Sequence, residues 1–501
     1  MVAAANSSAP GKPAHRFVYS DLREWIAAVD ELGEIKRLKG INWEREIGMV
    51  SALLQKSDPA PCAIFDDIPG IRPGFRVLTN FFGAKRANVT LGFAPGLTRL
   101  DLSDAFLSVY KDPANVPIKH EIVDDGPIFE NVLTGDAVDL LMFPSPQWHE
   151  ADGGRYIGTG SYAVTRDPDD GWLNQGTYRV MLHDKTSVGL YISPGKHGRM
   201  HRDKYAARGE KMPIAIVLGG NPMQFLLTGN EVPYGVSEYD VLGGLYKRPI
   251  ECVRGRVTGL PFPKDCEIVL EGWIDPNELR DEGPLGEWTG YYPGGARPEP
   301  VMHVEAIYHR NDPIMVGCVH ELGPSEYARY RAITRSALLK EALKSAGVPD
   351  VNAVWAHEVG GARMFVGVSI KQRYAGHATQ AGHIASQCQV GAYAGKYVVV
   401  VDEDIDVSNL EELLWAMCTR SDPATSIDII HSAWSTPLDP RIPPEKRERG
   451  DFTNSRAIID ACRPYHWRDQ FPKVNMPSKA VQIEMRERFG WVLESWRRGE
   501  L

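Results

Sequence analysis

Two glutamates five residues apart, in a glycine-rich segment backed by aromatics, are the feature of this sequence that most suggests chemistry: Glu282-Gly283-Pro284-Leu285-Gly286-Glu287-Trp288-Thr289-Gly290-Tyr291-Tyr292. Gly283 and Gly286 permit a tight turn or a close approach to a ligand. Trp288 and Tyr291 are placed to form an apolar wall, which lifts the pKa of a neighbouring carboxyl and suits it to proton transfer. A β-turn with two solvated glutamates is the competing reading. A second stretch runs from Trp172 to Lys185. Strand alternation there puts Thr177 and Arg179 on one face. An arginine turned into a β-domain requires an anionic partner, a glutamate or a substrate carboxylate. A surface arginine on a half-exposed strand fits the spacing equally well.

The common catalytic patterns are missing. There is no GxxxxGK[ST], no GxGxxG after a strand and no GxSxG. His320-Glu321 and His357-Glu358 begin like a zinc-binding HExxH, but Pro324 and Gly361 stand where the second histidine belongs. Both histidines read as surface or β-edge residues. The seven cysteines form no CxxC, so neither a disulfide framework nor a cysteine zinc site is expected, and a reducing, cytoplasmic setting fits. The net charge of −9 argues against a general nucleic-acid binder. The one basic cluster, Lys446-Arg447-Glu448-Arg449, reads as a solvated loop. The start of the chain lacks the apolar core of a signal peptide, and the longest apolar runs are of strand length, so no membrane span is expected.

Some framework must position these residues. Ser20-Asp21 followed by Leu22, Trp25, Ile26, Val29 and Leu32 predicts a capped amphipathic helix. A helix over Glu46–Leu54, strands at Cys62–Phe65 and near Phe75–Leu78, and a helix at Leu102–Tyr110 complete a mixed α/β region. From about residue 115, strands dominate: Ser161–Thr165, Tyr178–Leu182, Val188–Ile192, Ile214–Leu218, Ile268–Trp273, His303–His309 and Ile314–Gly317. A barrel or two-sheet β-domain suits so many strands. Pro324-Ser325 opens a long helix that buries Ile333, Ala337, Leu339, Leu343 and Ala346 and stops at Gly347. Beyond it strand and helix alternate: Ala353–Val359, Met364–Ile370, a helix around Thr379–Ala392, Tyr397–Val401, and a helix opened by a capping box at Ser408-Asn409-Leu410-Glu411.

Asn174 with Arg179, then His197, Glu238 and the Glu-Gly-Pro-Leu-Gly-Glu segment, in that order, resemble the UbiD-like decarboxylases, the family of the 3-polyprenyl-4-hydroxybenzoate and ferulic acid decarboxylases. Supporting stretches include Asp152-Gly153-Gly154-Arg155-Tyr156, Met181-Leu182-His183-Asp184 and Leu414-Trp415-Ala416-Met417. The resemblance implies an N-terminal α/β region (17–114, after a disordered lead-in over 1–16) and a split β-barrel that binds prenylated FMN (115–323). It further implies a linker helix (324–348) and a C-terminal α/β oligomerisation domain with its tail (349–501). Asn174, His197 and Glu238 would hold manganese or magnesium against the flavin phosphate, with Thr177, Tyr178 and Arg179 also at the cofactor; relatives commonly add a potassium ion nearby. Arg179, Glu282 and Glu287 would be the catalytic network, with Glu287 the proton donor. Lys196 would lie near cofactor and substrate and meet a second anionic group, or else point to solvent or the flavin phosphate.

The activity implied is reversible, non-oxidative decarboxylation of an aromatic, heteroaromatic or α,β-unsaturated acid through a covalent adduct with prenylated FMN. A flavin prenyltransferase of the UbiX type would supply the cofactor. A homodimer or homohexamer is expected, with the tail Phe489–Trp496 contributing. A metal-dependent hydrolase without flavin and a non-catalytic subunit of a carboxylase complex are the other readings.

Overall fold

The computed structural model describes residues 13–497, apart from 58, 194, 231 and 476. The expected lead-in falls outside it as far as residue 12. At its end, however, His15 bridges Phe93 and Arg16 N–H donates to Gly92 O, so 13–16 belong to the fold.

The first helix, Leu22–Glu31, is capped as expected. The Asp21 side chain accepts from Glu24 N–H, and the Glu24 carboxylate accepts from Ser20 N–H and Oγ–H. With the helices Glu46–Gln55 and Arg99–Tyr110 it packs around a four-stranded sheet, ordered Ile35–Lys39, Cys62–Asp66, Arg76–Thr79, Ile314–Val316. The last strand was expected in the β-domain. It pairs instead in parallel with Arg76–Thr79, so the chain returns to the N-terminal sheet before the linker helix.

A nine-stranded antiparallel sheet forms the centre. Its order is Tyr156–Gly158, Arg179–Leu182, Ser187–Tyr191, Arg297–His309, Ile268–Glu282, Met212–Leu218, Ser161–Arg166, Leu173–Gly176, with Asn131–Thr134 also paired to Arg297–His309. Both faces of its central strands are buried. Ile214, Ile216 and Leu218 join one apolar cluster, and Ala215 and Val217 another. That double burial explains the unbroken apolar run of Met212–Leu218.

Leu173–Gly176 and Arg179–Leu182 lie at nearly opposite ends of this order, yet only Thr177 and Tyr178 separate them in sequence. Two residues span at most about 10 Å between their flanking strands, so the sheet must curl until its ends meet there. This is the split barrel. The strand expected from Tyr178 therefore begins at Arg179, because Tyr178 belongs to the crossover.

The linker helix Glu326–Ser345 packs on Arg99–Tyr110 and on Val351–Ala356. Ser103 Oγ donates to Ile333 O. Ala346, expected to be buried, is the exposed C-cap. The C-terminal sheet is ordered Val351–Ala356, Phe365–Ile370, Tyr397–Asp402, Thr453–Asp460, Ile427–Trp434. The helix expected to run to Ala392 breaks at Cys388, giving His377–Gln387 and Gln389–Ala392. The cap of Leu410–Arg420 is Asn409, one residue later than expected, its side chain accepting from Glu411 and Glu412 N–H. On the closing helix Lys479–Arg497, Phe489, Trp491 and Val492 are exposed, while the side chain of Trp496 lies outside the description. No helix among the described residues is long and apolar enough to cross a membrane.

Candidate active site

A cavity of about 680 Å³ opens where the sheet ends meet. The crossover lines it with Asn174, Gly176, Thr177, Tyr178 and Arg179, and His197, Lys196, Glu238 and Glu287 line it too. Sequence reasoning thus converges on one place, with one exception: Glu282 sits fully buried behind the wall.

Arg179 joins the two glutamates. Its Nε and Nη2 donate to Glu282 Oε1 and Oε2 at 2.9 and 2.6 Å, a bidentate pair, and Nη1 donates to Glu287 Oε1 at 2.7 Å. Tyr156 Oη–H adds a bond to Glu282 Oε1 at 3.0 Å. Burial opposes the Arg179 charge, but the two carboxylates outweigh it and hold the guanidinium protonated. Burial dominates at Glu287: it raises the carboxyl pKa above the ordinary value even though Arg179 pulls it down. The segment is therefore no solvated turn.

What fixes this loop was only partly legible. Trp288 is buried against the cavity as expected, but Tyr291 is exposed and forms no wall. The anchor is Asp152, whose carboxylate accepts from Gly286 N–H at 3.1 Å, Tyr292 Oη–H at 3.1 Å and His149 N–H at 2.8 Å. Gly153 follows it against the loop: a Cβ there would stand 1.9 Å from Gly283 O. From the other side, Trp288 packs on Gly361, where φ is +64° and a Cβ would come within 2.0 Å of the indole. Arg447, expected in a solvated loop, is half-buried on the short helix Pro444–Glu448, and its Nη1 donates to Pro293 O at 3.1 Å.

The two His-Glu pairs also depart from expectation. His320 lines the cavity, and burial drives its pKa down to about 3. His357 is buried, its pKa lowered by burial to about 4, and it packs on Phe365 at 5.3 Å. Arg331 of the linker helix and Arg363, Tyr393 and Leu438 of the C-terminal region complete the cavity wall. No local pattern pointed to these, since they are brought in from distant sequence.

At the other end, Glu238 opens the helix Glu238–Tyr246 and accepts from Gln175 N–H at 2.8 Å. Burial raises its pKa to about 8, and no lysine or arginine among the described residues pairs with it. Burial thus favours the neutral acid, and a bound cation would stabilise the carboxylate form instead. His197 opens the helix His197–Arg208, and burial, helped by Lys196, favours its neutral, ligating form. Asn174 adds an amide. Among the described residues no cluster of three or more His, Cys, Asp or Glu could hold a metal, so a cation here would need that amide oxygen. Amide, imidazole and carboxylate suit a hard or borderline divalent ion.

A curled antiparallel barrel, with an arginine clamped by two glutamates at one end of its pocket and a cation-type donor set at the other, defines a class of cofactor-dependent enzyme. The comparisons with known proteins make that class specific. Residues 121–322 match the UbiD "3-octaprenyl-4-hydroxybenzoate carboxy-lyase Rift-related domain", and 330–461 match the corresponding C-terminal domain. The chain belongs to the UbiD family of carboxy-lyases. It is 32% identical over 439 residues to a pyrrole-2-carboxylic acid decarboxylase of Pseudomonas aeruginosa, covering 85% of this chain and 87% of that one. It is 32% identical over 462 residues to a phenolic acid decarboxylase of Sedimentibacter hydroxybenzoicus, covering 89% and 92%. The structure of the UbiD-class enzyme HmfF from Pelotomaculum thermopropionicum in complex with FMN superposes with a TM-score of 0.81 at 27% identity, over 92% of this chain and 98% of that one. The mixed α/β fold with its split barrel is thus that of the UbiD class.

Proposed function

We propose that this protein decarboxylates an aromatic, heteroaromatic or α,β-unsaturated carboxylic acid, reversibly, with prenylated FMN and a manganese or magnesium ion. The observation that carries the reading is Arg179 on the cavity wall, bonded at once to Glu282 and Glu287. When bound, prenylated FMN supplies the electron sink for the electrons left as carbon dioxide departs. Arg179 orients the substrate carboxylate, and Glu282, with both oxygens on Arg179, fixes the guanidinium. Glu287 accepts from Arg179 through Oε1, which leaves Oε2 to carry the proton that replaces carbon dioxide. Trp288 and Leu285 keep water from that position. Asn174, His197 and Glu238 hold the divalent ion, with Thr177 and Tyr178 beside the cofactor and a potassium ion nearby.

Support comes from the relatives named above as decarboxylases and from HmfF in complex with FMN and, in an evolved dimeric form, with prFMN. The same proposal covers the division at 17–114, 115–323, 324–348 and 349–501, a cytoplasmic setting, a homodimer or homohexamer, and a flavin prenyltransferase as cofactor supplier. The test is production with and without that prenyltransferase, followed by a screen of aromatic, heteroaromatic and acrylic acids. Activity only after co-production is expected. Full activity from a prenyltransferase-null host overturns the reading.

A further inference from the structure

The donor set of the cation site contains one group that has to be told which way to face. A side-chain amide offers an oxygen to a cation on one side and an NH₂ that repels it on the other. Asn174 stands directly across the ladder from Thr165, so their side chains share a face of the sheet. Its Nδ2 lies 3.4 Å from Thr165 Oγ1. With Nδ2 turned to Thr165, Oδ1 on the other side of the amide is left for the cavity that Asn174 lines.

Thr165 is not free to choose its role. Its Oγ1 is 3.0 Å from His201 Nδ1, and both side chains are fully buried. His201 lies one helical turn after His197, and the Trp172 indole packs on both rings at 5.0 and 5.1 Å. Its Nε2 makes no hydrogen bond among the described residues but lies 3.6 Å from the Asp167 carboxylate, which Lys204 Nζ holds at 2.6 Å. The Asp167 charge nearby favours the imidazole proton on Nε2, electrostatically rather than through a hydrogen bond. Nδ1 is then an acceptor and takes the Thr165 hydroxyl proton, which turns an oxygen lone pair toward Asn174. The charge at Asp167 thus sets the direction of the two bonds that follow.

We infer that Thr165 and His201 are positioning residues for the cation site: the bonds between His201 and Thr165 and between Thr165 and Asn174, polarised by the nearby Asp167 carboxylate, commit the Asn174 amide to presenting its oxygen to the cavity. The inference rests on the reading of Asn174, His197 and Glu238 as cation ligands. In it the helix His197–Arg208 acts twice, supplying a ligand from its first turn and orienting a second ligand from its next.

The test uses the full-length, flavin-loaded protein and manganese as the probe, with the dissociation constant and hyperfine spectrum read by electron paramagnetic resonance. Thr165→Val keeps the shape and removes the hydroxyl; it should weaken manganese binding by about 10–100-fold, as loss of an outer-shell partner does. Thr165→Ser should restore affinity to within about threefold, since the hydroxyl alone is at issue. His201→Phe frees the Thr165 proton to turn toward Asn174 and should weaken binding in the same direction with an altered spectrum, which guards against a Thr165→Val protein that fails to fold. His197→Ala is the control and should lose manganese altogether. Wild-type affinity and spectrum in Thr165→Val and His201→Phe, with loss in His197→Ala, would overturn the orienting role and leave the cation site standing. Wild-type affinity in His197→Ala would remove the cation site, and this inference with it.

Discussion

Glu282 lies directly opposite Arg297 in the ladder between Ile268–Glu282 and Arg297–His309, yet its carboxylate turns away to the Arg179 guanidinium. Arg297 pairs with Glu299 at 2.8 Å and stacks over the Tyr191 ring at 3.9 Å, the same ring that Arg179 approaches at 5.0 Å. The network therefore has two cations but gives only one of them to Glu282. The second remains close enough to Glu287 to lower its pKa.

The sharpest expectation concerns the proton donor. Glu287→Gln keeps shape and the bond from Arg179 but has no proton to deliver. Turnover should fall by at least the roughly 10²–10⁴-fold typical of a general acid. Flavin absorbance should be retained, and deuterium exchange from solvent into the product should stop. A variant that turns over and exchanges like the parent would show that water or another acid is the donor.

Arg297 gives a pH test with a defined sign. If Glu287 works protonated, as proposed, activity falls as pH rises through its pKa. Arg297 favours the ionised carboxylate; Arg297→Gln should therefore move the alkaline limb of kcat/KM to higher pH, while Arg297→Lys should leave it near the parent's. The side chain is 43% exposed, so added salt should screen it and shift the parent's limb in the same direction as the substitution. A limb that does not move with Arg297→Gln would mean that Arg297 has no hold on the donor.

Gly153 carries a steric prediction. A methyl there meets the Gly283 carbonyl at 1.9 Å, and backbone cannot yield as a side chain does. Gly153→Ala should cost roughly 1–3 kcal/mol in a denaturant titration and displace the Glu282–Glu287 loop, with kcat falling more than stability alone predicts. Parent-like kcat and stability together would show that the loop is not held by this contact.

Lys196 is exposed at the cavity edge. If it meets a second anionic group, Lys196→Met should raise KM for dianionic acids by about tenfold, or about 1.4 kcal/mol, and spare monoanionic ones. Equal effects on both, or none, would remove that role.

Much of the site was legible because its chemistry is local. Glu282 to Glu287 sit in one loop, and the crossover carries Asn174 and Arg179 within six residues. The helix beginning at His197 was missed because it is polar all round; that beginning at Glu238 is only nine residues long and, although Tyr239, Leu242 and Leu245 are buried, it lies among strands. Asn221-Pro222, by contrast, was a readable start for Pro222–Thr228: the Asn221 side chain accepts from Met223 and Gln224 N–H. His320, Arg331 and Arg363 could not be read at all. Their placement depends on how the linker helix and the C-terminal sheet close over the barrel, and no spacing within their own segments encodes that.

The two-residue crossover at Thr177 and Tyr178 makes the chain itself a ruler. Asn174 and Arg179 are tied by a fixed, short length of covalent backbone, each end of which is already paired into a strand near an opposite end of the sheet order. One inserted residue would slide one end by about 3.3 Å and flip its side chains to the wrong face. On the roles proposed, the distance between the group that anchors a cofactor and the group that grips a substrate is thus set by counting residues rather than by packing. Neither end can be retuned by lengthening this segment, so the scope for new specificity lies on the far wall, which the linker helix and C-terminal sheet supply.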